Sequence, residues 1–170
     1  FDIHSMERRA PKFIHTIQSI IKNSYDVDYI SDKYLAQTTM KDGSLTTTGQ
    51  NKYAGIIVPD VRFMPLETLS HILDLARQGA VVVFIKSLPQ SVPGYNNEAK
   101  QEQFDRIIGN AKKMKNIIVA ESTEAGLSHF KARPEPMRKI QGLSCIRRSN
   151  ADGHHYFISN LQGKDVDAWV

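Results

Sequence analysis

The apolar positions of this chain keep one period for a stretch and then switch, and the switches mark its elements. Between Pro11 and Lys22, Phe13, Ile14, Ile17, Ile20 and Ile21 recur at helical spacing, which predicts a helix with one buried face. The period falls to two in "YDVDYI", residues 25–30, where aromatic and β-branched residues alternate with acids as in a strand. Ser31 and Asp32 suit the start of a short helix through Leu35, and Asp42-Gly43 between Thr-rich arms signals a hairpin or an edge strand. Three runs then show no alternation at all: Ile56-Ile57-Val58, "AVVVFI" and "NIIVA". Such runs belong to strands covered on both faces. Helical patterns separate them, the first carrying Leu66, Leu69, Leu73 and Ala76 between Pro65 and Gly79. The second, over residues 98–115, carries Phe104, Ile107, Ile108, Ala111 and Met114.

Strands alternating with helices of this length predict βαβ units and a doubly wound, mostly parallel α/β sheet, with strands near residues 25–30, 56–58, 81–85 and 117–120. The pattern changes kind after "RPEPMRK", where Pro134 and Pro136 interrupt regular structure. Beyond it "LSCIRR" and "HHYFISN" flank "SNADG", the signature of an antiparallel hairpin over residues 143–148 and 154–159. A boundary is therefore expected within residues 134–141, dividing an α/β unit (1–138) from the start of a following β unit (139–170). The chain begins at Phe1 and ends in "VDAWV", an apolar stretch with no cap, so it reads as a piece of a longer protein whose Trp169 is poorly covered.

Composition narrows the function. The formal charge is +4, but the 22 Lys and Arg residues are scattered and lack interleaved aromatics, so nucleic acid is not an expected partner. No apolar run approaches the roughly 18 residues of a membrane span, so no membrane partner is expected. Cys145 is the single cysteine, which excludes a disulfide within the chain and leaves the compartment open. No strand runs into GxGxxG or GxxxxGK[ST], and no GxSxG occurs, so neither a cofactor nor an elbow nucleophile is expected. His154 and His155 are neighbours on a predicted strand and point to opposite faces, which argues against a metal site.

In a parallel sheet ligands gather beyond the carboxyl ends of the strands. Those ends carry Asp60 and Arg62, then Lys86 and Ser87, then Glu121 and Ser122. Asp60 and Arg62 suit either a turn ion pair or a ligand contact. The loop "SLPQSVPGYNNE" is long for a strand-to-helix connection and presents Tyr95, Asn96 and Asn97, groups that stack on and hydrogen-bond sugars; Asn97 equally suits a helix cap. The ligand-binding candidates are thus Asp60, Arg62, Tyr95, Asn96 and Asn97, with no catalytic and no metal residue assigned.

"YDVDYISD", "YAGIIVPDVRFMPLETL", "GAVVVFIKSLPQSVPG" and "GHHYFISNLQGKDVDAWV", in this order, resemble the central region of large bacterial α-L-rhamnosidases and related proteins of glycoside hydrolase family 106. The resemblance implies a flavodoxin-like, class I amidotransferase-like α/β domain lying between a catalytic barrel and β-sandwich domains. It implies an accessory domain, itself non-catalytic, whose partners are the other domains of the same polypeptide. The carboxylates and metal ligands that cut a glycosidic bond would belong to the barrel. Two other readings stay open beside it: a carbohydrate-binding or homo-oligomerising module, and a small α/β hydrolase using Asp60 or Glu121 as a base.

Overall fold

The computed structural model describes residues 12–95, 97–140, 142–161, 163–167 and 169. Helix α1 (Lys12–Lys22) is followed by a single turn, α2 (Asp32–Leu35), and by an antiparallel meander of β1 (Thr39–Lys41), β2 (Ser44–Thr46) and β3 (Lys52–Tyr53). Asp42 and Gly43 both take positive φ, 51° and 73°, and Lys41 pairs with Ser44 across them. That is the two-residue turn whose twist matches paired strands, and an Asp-Gly pair reaches it at little cost.

The main layer is a parallel sheet of β4 (Gly55–Val58), β5 (Val81–Ile85) and β6 (Ile117–Ala120), in that order, with α3 (Leu66–Arg77) and α4 (Glu98–Ala111) as its crossovers. Register sets Val58 beside Phe84 and Ile85 beside Ala120. Side chains of β5 alternate between two cores. Val82 and Phe84 join Leu69, Leu73, Phe104 and Ala111 on the helix α3 and α4 side, whereas Val83 and Ile85 join Ala120, Ile57 and Phe130 on the other. Because the strand order follows the chain order, both crossover helices fall on one face. The second face is closed by α5 (Thr123–Leu127), on which α1 packs. Ser19 of α1 hydrogen-bonds Glu124 of α5, and this bond is the main reason the Glu124 carboxyl titrates below its ordinary range. After a 3₁₀ turn at Pro136–Lys139, β7 (Leu143–Asn150) and β8 (Gly153–Asn160) form a separate two-stranded antiparallel hairpin.

Two expectations need correction. Residues 25–30 form no strand or helix, and the parallel sheet has three strands among the described residues. Their polar groups are satisfied elsewhere: Ser24 O accepts from Glu135 N, Tyr25 O from Arg138, and the Asp26 and Asp28 carboxylates bind Arg138 and Tyr53. The alternation in "YDVDYI" places acids that find side-chain partners, with no ladder partner for the backbone. The helix predicted over 98–115 ends at Ala111, because Lys113 and Met114 tighten onto Asn110 O and Ala111 O and deliver the chain into β6. The helix expected from Pro11 is present from Lys12; Pro11 lies outside the described residues. The strands expected at 81–85 and 117–120 have those spans, and β4 and the two hairpin strands extend the expected ones by one or two residues.

Phe84 and Phe104 have no solvent exposure, and truncating either to alanine should cost about 3–5 kcal/mol, measurable by denaturant titration. Gly55 is limited by space: a Cβ there would lie 2.2 Å from Phe130 Cε1 and 2.5 Å from the Val81 carbonyl of the neighbouring strand. Gly55→Ala should therefore destabilise by about 1–3 kcal/mol although alanine is the better strand residue.

The Tyr53 phenol is pushed up to about 12, chiefly by burial and then by its hydrogen bond to Asp28, 2.6 Å away. Its neutral form is favoured by the fold, so this stability is complete below the ordinary value of 10 and is lost as pH rises towards 12. Tyr53→Phe should lose less stability than the parent across that alkaline window, read by denaturation at each pH.

Candidate functional site

The loop after β4 and the loop after β5 are zipped together. Arg62 O accepts from Gln90 N at 2.9 Å and from Ser91 N at 3.2 Å, and Met64 N donates to Ser91 O at 3.0 Å. Phe63 and Ser91 thereby form a parallel bridge beyond the strand ends. Pro89, Val92 and Met64 are buried beneath, which explains the apolar positions scattered through otherwise polar loops. Gln101 of α4 clamps the same loop from behind: its side-chain oxygen accepts from Ser91 Oγ (2.7 Å) and Val92 N (3.0 Å), while its nitrogen donates to Gln90 O (3.1 Å).

This scaffold fixes the sheet's carboxyl edge. Lys86, the first residue past β5, has φ 67°, a conformation that non-glycine residues adopt only when their surroundings hold them there. Its amide donates to Ala120 O of the neighbouring strand at 2.7 Å, and its ammonium lies 3.9 Å from Asp60 at the end of β4. The Arg62 guanidinium lies over the Phe63 ring, 5.2 Å from its centroid. Phe63 remains 54% exposed.

The other candidates are placed as follows. Tyr95 stands at the loop tip, almost wholly exposed. Asn97 occupies the cap position of α4, but its side chain makes no cap bond; it donates backwards to Pro93 O at 2.7 Å and closes the tip around Gly94, whose φ is 108°. Asn96 lies outside the described residues. Ser122 caps α5 by accepting from Ala125 N, and Glu121 is exposed at the end of β6. The edge thus brings Asp60, Lys86, Arg62 and Phe63 onto two joined loops, with Tyr95 on the same loop as the Gln101 clamp.

A second polar constellation lies where the hairpin meets the α/β layer. Arg138, largely buried, donates to Tyr25 O (3.0 Å), Asp26 Oδ1 (2.5 Å) and Cys145 O (3.0 Å). Burial opposes its charge, but the bonds to Cys145 O and Asp26 outweigh burial and raise its pKa. Arg147 bridges Asp26 (3.7 Å) and the buried Glu135 (3.1 Å), which also accepts from Tyr156 Oη at 3.2 Å. A cleft of about 430 Å³ opens beside it, walled by Ile21, Tyr25, Val27 and Leu143. Sequence reading missed this cluster, since its members stand 112 residues apart; the alternating acids of "YDVDYI" were its one local sign. Every charge in it has a protein partner, so it serves as a strut between two parts of the chain.

Among the described residues no three His, Cys, Asp or Glu side chains gather to hold a metal, and no helix is long and apolar enough to cross a membrane. His154 and His155 each use a hairpin neighbour, Ser149 and Asn150 respectively, at 2.8 Å.

Comparison with known proteins agrees with the resemblance seen in the sequence. The family described as alpha-L-rhamnosidase, glycoside hydrolase family 106, matches residues 5–169, and the chain belongs to it. A protein of Formosa agariphila named "Putative beta-glucuronidase" is 24% identical over 159 residues, which are 90% of this chain and 13% of that protein. The chain thus spans about an eighth of that relative's length. No solved structure matches it.

Arg138→Ala would leave Asp26 with one partner and strip two carbonyls of their donor. Asp26 is half exposed, so the loss is that of a part-buried charged hydrogen-bond donor, about 1.5–3 kcal/mol. Amide exchange should rise most in β7 and β8 while β5 keeps its protection, read by hydrogen exchange with mass spectrometry.

Proposed function

From membership of the α-L-rhamnosidase family, we propose that this chain is a non-catalytic accessory domain of a multidomain glycoside hydrolase, supporting a catalytic barrel elsewhere in the same polypeptide during carbohydrate degradation. The observation that carries the reading is the composition of the sheet edge. Glycosidic cleavage needs two carboxyl groups flanking one bond, roughly 5–9.5 Å apart and free to exchange protons or attack. Here Asp60 faces the Lys86 ammonium, and Glu121 stands at the end of β6, with the strand that carries Lys86 between them. The strained residue at the end of the central strand, where a nucleophile elbow would present a serine or cysteine, is a lysine engaged with that aspartate.

The same reading extends to architecture. The three-stranded parallel layer, covered by helices on both faces, is the amidotransferase-like unit, and the hairpin opens a following β-sandwich domain. Support for the second part lies in the outward face of the hairpin, where Ile146 and Phe157 are cross-strand neighbours and both largely exposed, with Trp169 beyond them fully exposed. A two-stranded ribbon with such a face needs further strands for stability.

Incubation of the chain with an aryl α-L-rhamnoside should give no turnover above a heat-treated control. Turnover that disappears in Asp60→Ala or Glu121→Ala would replace this reading with a small hydrolase acting at the sheet edge.

A further inference from the structure

We propose that the joined loops at the carboxyl edge form a contact site for an acidic sugar unit of a glycan, with Arg62 receiving its carboxylate and Phe63 bearing against its ring. The inference rests on the carbohydrate role proposed above and adds a site and a ligand class to it. Arg62 is exposed, and among the described residues its guanidinium has no hydrogen-bonding or ionic partner; its contact is the face of Phe63. A guanidinium that meets a ring through its charge still has its N–H donors to offer to a further partner. Their fork matches the two oxygens of a carboxylate. On the two joined loops Lys86 and Arg62 set two positive charges against Asp60, while Glu121 at the end of β6 balances the edge as a whole.

The scaffold is prepared for binding. Arg62's own carbonyl is held by two amides of the neighbouring loop, so that point of its backbone is anchored before any ligand arrives. The backbone of Lys86, at φ 67°, is held by its bond to Ala120 O, and its ammonium lies beside Asp60.

Loop chemistry favours a sugar acid over a phosphate. Phosphates are cradled by free backbone amides. Here the amides of Gln90 and Ser91 go to Arg62 O and that of Val92 goes to Gln101, so the part of the loop beside Arg62 has these amides engaged within the protein. Recognition falls to side chains: a fork for the carboxylate, the open part of the Phe63 ring for the apolar face of a pyranose, and Tyr95 as a second exposed ring on the joined loop after β5.

The test is titration of the isotope-labelled 170-residue chain with a short oligogalacturonide, its methyl ester and inorganic sulfate, followed by amide and arginine side-chain NMR. The acid should shift Arg62, Phe63 and Lys86, and the neutral ester should bind about tenfold more weakly, the loss of one charge-assisted pair. Arg62→Lys retains the charge and removes fork and stacking; with Phe63→Leu it should weaken the acid about tenfold, while Lys113→Ala leaves it unchanged. Both altered side chains are exposed, and unchanged thermal unfolding will show that the variants fold. Absence of binding, equal binding of acid and ester, equal binding of sulfate, or insensitivity to Arg62→Lys would each overturn the site. None of these outcomes bears on rhamnoside turnover, so failure of the site and failure of the non-catalytic reading remain distinguishable.

Discussion

The structure depends on one strand having no solvent side. Val82, Val83 and Phe84 are all fully buried, so β5 must be apolar on both faces and must be covered on both. The crossover helices α3 and α4 supply one cover. Strand order leaves the other face to elements from the two ends of the layer, α5 packed directly and α1 laid over it. Gly55 and Gly126 follow from the same constraint: Phe130 presses on the first, and a Cβ at the second would sit 2.8 Å from Val83 Cγ1. Where β5 leaves the core, at Lys86, the backbone turns into a strained conformation and polar side chains begin. The chemistry of this face starts where burial stops.

Two polar constellations result, with opposite character. In the strut around Arg138 and Glu135 every charge meets a protein partner, several of them out of water, which orients the hairpin against the layer. At the sheet edge the groups are exposed, and the Arg62 guanidinium has an aromatic neighbour in place of an acid. Within the polypeptide of a family 106 protein, the first arrangement suits a joint between neighbouring units and the second suits an outward surface.

The elements were legible because their signal is local. Unbroken apolar runs gave the three strands, and helical spacing gave α1, α3 and α4 to within a few residues. What failed was pairing. "YDVDYI" has the period of a strand, but period says nothing about which groups complete its hydrogen bonds; here arginine and tyrosine side chains do so in part. Asn97 shows the same gap on a smaller scale, standing at the cap position while Pro93 takes its side chain. The site was half legible. Strand ends nominated Asp60, Arg62 and Lys86, but the stacking of Arg62 on Phe63 and the clamp by Gln101 depend on two loops meeting, which no single stretch encodes.

The Asp26–Arg138 contact joins residues 112 apart and closes a loop that contains the whole parallel layer. The entropy of closing a loop grows with its length, and contacts of large separation form only after shorter ones have drawn the chain together. During synthesis the last helix of the layer, α5, ends at Leu127, before Arg138 has been added. The strut therefore depends on residue 138: a chain cut short of it would hold every strand of the parallel layer but neither the hairpin nor the arginine that pairs with Asp26.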